Sequence, residues 1–161
     1  LSPIAPDICV LFDEFYFAHQ EEVDLCWRAQ KHGYRVMALG GTQVYHLGGS
    51  TLSNMNPKKT FLNFRNSLLM LHKNLPSNIK TKRILQRKLF DGLAGVLFLL
   101  KGKPKHLIQI IKAHQYFDKH KNEFQISENP VPLTQLSGVL DSSLVFGYFL
   151  KGKKTWTNWF N

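Results

Sequence analysis

The sequence predicts an α/β protein in which a partial α/β domain is followed by a mainly α-helical, basic region. Apolar residues recur at helical spacing over residues 22–32. Polar and apolar residues alternate over 34–39, as in a half-buried strand. After residue 57 the chain changes to long basic and apolar segments of helical composition. With 161 residues, of which 43% are hydrophobic and 20% charged, the chain can bury a core, which excludes a disordered protein.

The sequence pattern of the first 56 residues predicts a strand, a helix, a second strand, an extended segment and a loop. The apolar run that closes LSPIAPDICVLF at 1–12 indicates the first strand. Gly33 is placed to end the helix, since glycine readily adopts the left-handed conformation. TQVYH at 42–46 indicates the extended segment, before a pair of glycines. This order is typical of the last part of an α/β domain, so we assign 1–56 to such a part.

The remainder predicts helices. PKKTFLNFRNSLLMLHKNL at 57–75 begins with one proline and is stopped by Pro76. Residues 79–100 place basic residues before apolar ones, and 101–114 repeat this composition. The apolar run Leu93–Leu100 is too short to span a bilayer, which takes about 20 residues, but it suits a helix lying in the membrane interface.

We therefore expect a basic, amphipathic helical region over 57–124 that contacts the membrane interface. A loop and C-terminal tail follow over 125–161.

Charge is distributed unevenly along the chain. Residues 1–46 contain six acidic and three basic residues, whereas the rest contains five acidic and 18 basic residues. This asymmetry indicates an acidic site on one part and a surface for an anionic partner, membrane or nucleic acid, on the other. Long apolar runs among the basic residues favour a membrane and make nucleic acid the less expected partner.

The two cysteines are too few for a disulfide framework, which favours a reducing, cytoplasmic setting. No basic segment followed by an apolar stretch opens the chain, so no signal peptide is readable. A start at Leu1 indicates a fragment.

The stretch FAHQEEVDLCWR at 17–28 raises two interpretations. It places Glu21, Glu22 and Asp24 within four positions, beside large aromatic residues. Acidic side chains favour the first turn of a helix, which would make the cluster structural. The alternative is a catalytic carboxylate held in a cleft.

A longer pattern favours the second interpretation. FDEFYFAHQEEVDLCWRAQKHGYRVMALGGTQVYHLGGSTL, from Phe12 to Leu52, resembles the C-terminal part of the catalytic domain of family 2 glycosyltransferases. The following PKKTFLNFRNSLLMLHKNLP is similar to the segment that succeeds it in bacterial members, particularly of Bacteroidetes type. The resemblance implies an inverting transferase of GT-A fold, so residues 1–56 would be a partial GT-A, Rossmann-like domain.

The nucleotide-binding half of that family and its Asp-x-Asp element are not found in the sequence. We therefore expect a C-terminal portion of a transferase that is inactive by itself.

The resemblance implies roles for the acidic residues. An inverting transferase needs a carboxylate that takes the proton of the acceptor hydroxyl as this hydroxyl attacks the anomeric carbon. The second member of the family's acidic pair, here Glu22, would be this base, with Glu21 contacting the acceptor. A glutamate replaces the aspartate of many members. Asp24 belongs to the same catalytic cluster by position, but its spacing to Arg28 also predicts an ion pair that fixes the helix.

The resemblance also implies groups that hold the donor. His46 would help to bind a divalent metal, Mn or Mg, that neutralises the diphosphate, and Gly48 and Gly49 would let the backbone approach the phosphates. Arg65 would contact the diphosphate or shape the acceptor cleft. The alternatives are a structural histidine and an arginine on the solvated face of a basic helix.

The expected function is therefore the transfer of a sugar from a nucleotide-sugar donor to a glycan or lipid-linked acceptor in polysaccharide or lipid-linked glycan synthesis. We expect it in the cytoplasm, at the inner face of the cell membrane. The alternative is a non-catalytic basic module that binds anionic membrane or nucleic acid.

Overall fold

A computed structural model describes residues 11–43, 45, 56–124, 131–139 and 143–159. The helices are α1 (Glu21–Lys31), α2 (Pro57–Asn74), α3 (Ser77–Leu100), α4 (Pro104–His120) and α5 (Leu144–Phe149). Short 3-10 helices lie at Glu14–Tyr16, Lys121–Glu123, Leu133–Gln135 and Trp156–Trp159.

The predicted α/β class is wrong. Throughout the described ranges the secondary structure is helical and contains no strand, so no Rossmann-like sheet is present there. Residues 34–39, predicted as a strand, pair with no neighbouring strand, and Met37 and Leu39 are 69% and 70% exposed. Alternating polarity stabilises a strand only when a second strand supplies hydrogen bonds and a core covers one face. The strand predicted for 1–12 lies outside the described residues except for its last two positions. The segment predicted at 42–46 is described only at positions 42, 43 and 45.

The helices themselves follow the sequence signals. α1 ends where predicted, since Gly33 has a φ of 81°. At the start of α2, the Asn56 side chain accepts a hydrogen bond from the Lys58 backbone N–H, and Pro57 occupies the first turn without losing a hydrogen bond. Pro76 separates α2 from α3, as predicted.

The chain forms two units, Leu1–Val131 and Pro132–Asn161. In the first unit, α2 is the central helix: it contacts α4 most extensively, and also α3 and α1. Leu68, Leu69 and Phe117 are buried together at its core. In the second unit, Gly147 of α5 lies directly against the Trp159 ring, which leaves no room there for a side chain.

Polar contacts between helices add to this core. The Thr60 hydroxyl of α2 lies 2.7 Å from Nδ1 of His106 on α4, and both residues are buried. Between α3 and α4, Gly95 permits a close approach, because a Cβ there would lie 2.7 Å from Cδ1 of Leu107. Apolar contacts and the Thr60–His106 contact thus hold α2 against α4, and the lack of a side chain at Gly95 lets α3 approach α4.

α3 has 24 residues but is not apolar enough to cross a membrane, and the same holds for every other helix in the described ranges.

Replacing a leucine at the centre of α2 should unfold the first unit far more readily than replacing one on α3. Leu68 is fully buried, so we expect Leu68→Ala to lower the free energy of unfolding by about 2–5 kcal/mol. Leu85 on α3 is 69% exposed, so Leu85→Ala serves as the matched control and should change stability by less than about 0.5 kcal/mol. Urea unfolding followed by circular dichroism measures both, and equal losses would contradict this core.

Candidate functional site

The loop that precedes α1 is held by one side chain of α2. The amide nitrogen of Asn66 donates to the backbone carbonyls of Tyr16, Ala18 and His19, at 2.9, 2.8 and 2.9 Å. Asn66 is fully buried, so these bonds form away from water, where an unpaired carbonyl is costly. The Asn66 side chain therefore fixes the path of residues 16–19.

Arg65 supports the same loop from the adjacent position. Its guanidinium donates to the carbonyls of Phe15 and Tyr16 at 3.2 and 3.4 Å, and its Nε donates to Oδ1 of Asn66 at 2.8 Å. The Phe15 and Tyr116 rings lie 4.9 and 5.3 Å from the guanidinium carbon, at distances typical of cation–π contacts. Burial lowers the pKa of Arg65.

Arg65 is thus buried, and the interpretation that it lies on a solvated helix face is wrong. Its contact with a diphosphate stays a prediction.

The loop is strained where it enters α1. Phe17, His19 and Gln20 have φ values of 61°, 72° and 75°, which few residues other than glycine adopt. Such a conformation costs on the order of 1–3 kcal/mol at each residue and persists only where surrounding contacts impose it. The hydrogen bonds from Asn66 and Arg65 are such contacts. Strain of this kind is often found at functional sites.

Asp24, one turn into α1, is enclosed by α2. Its carboxylate is fully buried and accepts hydrogen bonds from Nε of Arg28 at 2.8 Å, Nζ of Lys73 at 3.0 Å and Nδ2 of Asn74 at 2.7 Å. Burial by itself would raise the pKa of Asp24, but the charge of Lys73 and the hydrogen bonds from Asn74, Arg28 and Lys73 lower it overall. The predicted Asp24–Arg28 ion pair is present.

Neighbouring groups complete this buried cluster. Lys73 also pairs with Asp13 at 2.9 Å, and the Asp13 carboxylate accepts the Phe15 backbone N–H at the start of the first 3-10 helix. The Tyr16 hydroxyl lies 3.4 Å from Oδ1 of Asp24. Burial, reinforced by the charges of Asp24 and Asp13, raises the pKa of Tyr16. The cluster therefore joins the loop, α1 and the last turn of α2.

Glu21 and Glu22, the predicted acceptor contact and base, are the first two residues of α1. The Glu22 side chain is exposed, so its carboxylate is accessible to a substrate. Glu21 is half-buried, and its Oε2 is a buried atom without a hydrogen-bond partner in the described part of the chain.

The structure brings together only part of the predicted site. Glu21, Glu22 and Asp24 share the first turn of α1, and Arg65 lies beneath the loop that leads to them. His46, Gly48 and Gly49 lie outside the described residues.

No group of three or more His, Cys, Asp or Glu in the described ranges is arranged to hold a metal ion. The carboxylates of Asp13 and Asp24 both pair with Lys73. These residues alone do not fit a divalent metal.

Sequence reasoning missed Asn66, Lys73 and Asn74. All three lie on α2, where Asn66 precedes the other two by seven and eight residues, which is two helical turns. In the segment NSLLMLHKN these polar residues frame an apolar run. That pattern indicates one polar stripe on a buried helix, and it is the feature of the sequence from which these three residues could have been predicted.

Removing the charge of Asp24 should destabilise the first unit strongly. In Asp24→Asn, both Arg28 and Lys73 lose the negative charge of a buried carboxylate that they contact, so we expect a loss of about 3–5 kcal/mol. Glu22→Gln, an isosteric change at an exposed carboxylate of the same turn, is the control and should cost less than about 0.5 kcal/mol.

The same variant has a pH signature. Because the folded state lowers the pKa of Asp24, its stabilisation is complete above the unfolded value of 3.8 and is lost as the pH falls through the folded value. Urea unfolding between pH 7 and pH 2 should therefore show a shallower acid-side loss in Asp24→Asn than in the parent. Parallel curves would contradict the role of Asp24.

Replacing Asn66 should loosen the loop before α1. Asn66→Ala removes the side-chain donor to the Ala18 and His19 carbonyls and one of the donors to the Tyr16 carbonyl, so we expect a loss of about 1–3 kcal/mol and faster amide exchange over residues 16–24. Asn78→Ala, at an exposed position of α3, is the matched control. Hydrogen exchange followed by mass spectrometry measures the effect, and protection unchanged in both variants would show that Asn66 does not hold the loop.

No protein family, curated protein or solved structure significantly matches this chain. The resemblance over residues 12–52 therefore stays a prediction.

Proposed function

We propose that this chain is the C-terminal segment of an inverting glycosyltransferase, with the carboxylate of Glu22 as its general base. The observation that carries the proposal is the presentation of Glu22: it is exposed on the first turn of α1, directly after a strained loop that Asn66 and Arg65 hold. An ordered pattern resembling family 2 over residues 12–52 supports the same assignment.

The proposed step is a single displacement. Glu22 takes the proton of the acceptor hydroxyl while the hydroxyl oxygen forms a bond to the anomeric carbon of the nucleotide sugar. The bond from that carbon to the diphosphate oxygen breaks, and its electron pair leaves with the nucleotide diphosphate. Attack opposite the leaving group inverts the anomeric centre.

Such a base must be placed accurately, because misplacement by about 1 Å can cost 100-fold in rate. The buried hydrogen bonds from Asn66 and Arg65 to the loop before Glu22 would hold the base in such a position.

Asp24 and Glu21 have distinct parts in this proposal. Asp24 is fully buried and bonded to Arg28, Lys73 and Asn74, so it positions α1 and does not touch a substrate. Glu21 follows the loop directly before Glu22, and its Oε2 has no hydrogen-bond partner among the described residues, so we assign it to a second hydroxyl of the acceptor. The two glutamates together would contact a glycan or lipid-linked acceptor.

The donor side rests on the resemblance alone. A divalent Mn or Mg ion, with His46 as a ligand and Gly48 and Gly49 near the phosphates, belongs to the proposal in that way. For Arg65 the geometry favours positioning the loop over direct contact with the diphosphate, since its guanidinium already bonds two loop carbonyls.

The proposal includes a location at the inner face of the cytoplasmic membrane. A strongly basic region with exposed apolar side chains on α3 supports peripheral contact with an anionic bilayer. Lipid-linked acceptors are available at such a surface.

Glu22→Gln in the complete transferase that carries this segment tests the base. We expect kcat for sugar transfer to fall about 100-fold or more, with the KM for the donor little changed, because the amide cannot accept the proton. Glu14→Gln is the control, since Glu14 is an exposed glutamate of the preceding 3-10 helix. Unimpaired transfer by Glu22→Gln would exclude Glu22 as the base, and transfer by the isolated segment would contradict the need for a donor half.

A further inference from the structure

We propose that one face of α3 inserts into the headgroup region of an anionic phospholipid bilayer. Six aliphatic side chains form this face, and each is more than half exposed. They are Leu85, Leu89, Leu93, Val96, Leu97 and Leu100, called here the α3 apolar face. Successive members mostly lie three or four residues apart, which places them along one side of a helix.

The other side of α3 is the side that packs within the first unit. Asp91 and Gly95, the two buried residues of α3, belong to it: Gly95 lies against Leu107 and Ile110, and Asp91 accepts a hydrogen bond from His114, all on α4. The α3 apolar face therefore points away from its helical neighbours in this unit. Single exposed leucines are ordinary on protein surfaces, but a continuous row of six along one helix is typical of an interaction surface.

Charge identifies the occupant as an anionic surface. Residues 77–121 contain eleven lysines and arginines but only two acidic residues. Both acids are already paired: Asp91 with Arg87 at 2.6 Å and Asp118 with Lys88 at 2.7 Å. The excess of basic charge is therefore not neutralised by acidic residues of this region.

Lysines lie at both ends of the α3 apolar face. Exposed Lys82 lies three residues before Leu85, and exposed Lys101 directly follows Leu100. Lysine stems can extend along apolar surface while their ammonium groups reach a phosphate layer.

The dimensions agree with a helix that lies in the bilayer plane. From Leu85 to Leu100 the face is roughly 22 Å long at 1.5 Å per residue. Such helices bury their apolar face about 5–10 Å into the boundary between headgroups and acyl chains. A nucleic acid would contact the lysines but would leave the six aliphatic side chains in water, so a lipid surface is the better fit. The inference deepens the membrane contact proposed above and is independent of the chemistry at Glu22.

Vesicle flotation tests the inference with the chain as it exists. One set of vesicles contains phosphatidylcholine alone, and the other contains about 30% phosphatidylglycerol, an anionic lipid. We expect the parent chain to float with the anionic vesicles, less so as salt is raised, and Leu89→Gln/Leu93→Gln to lose about tenfold or more of this partitioning. The matched control, Leu11→Gln/Leu39→Gln, replaces two leucines that are similarly exposed outside α3 and should bind as the parent does.

A second pair of variants tests the charge. Lys82→Gln/Lys101→Gln should weaken binding to anionic vesicles and reduce its dependence on salt. Unchanged helix content by circular dichroism confirms that each variant is folded, as expected for exposed positions.

Three results would overturn the inference. Equal flotation of the parent and Leu89→Gln/Leu93→Gln would show that the chain binds the membrane through a surface other than the α3 apolar face. Equal binding to neutral and anionic vesicles would show that the basic residues do not select an anionic surface. Failure to float, together with self-association that only the α3 variant abolishes in analytical ultracentrifugation, would identify a second copy as the occupant. None of these results bears on the Glu22→Gln assay, so the two proposals fail separately.

Discussion

The buried carboxylate of Asp24 connects parts of the chain that are far apart in sequence. It accepts hydrogen bonds from Arg28 on its own helix and from Lys73 and Asn74 on α2, and it is fully removed from water. Taking such a charge out of water is costly unless several partners surround it in good geometry. Because partners on both helices bond this carboxylate, it helps to hold α1 against α2. The loop contacts of Asn66 lie two turns earlier on α2.

This arrangement separates two acidic roles that the sequence places side by side. Asp24 forms buried ion pairs with Arg28 and Lys73, while Glu22, two residues earlier, is exposed. Within one helical turn, one carboxylate fixes position and another stays accessible. The strained backbone at His19 and Gln20 belongs to the same design, because a conformation so unfavourable locally requires the contacts of a second helix.

Local signals in the sequence predicted the helices well. Proline at the start of α2 and glycine after α1 act through neighbouring atoms and need no knowledge of the fold. The pair Asp24–Arg28 was predicted for the same reason, since four residues make one turn. The strand at 34–39 was predicted wrongly, because its alternating pattern has meaning only when a second strand lies alongside it. Contacts from Asn66 and Lys73 to the loop and α1 join residues 47–60 positions apart, and no local signal specifies them.

The central position of α2 links the two proposed surfaces. α2 contacts α1, which begins with the acidic pair, and it also contacts α3, which carries the exposed aliphatic row. Under the two proposals, the packing of both surfaces on α2 sets the distance from the membrane plane to Glu22. An acceptor would then be chosen by the depth at which its hydroxyl lies, as well as by its chemical identity. Under both proposals, an acceptor hydroxyl held well above or below that height would not reach Glu22.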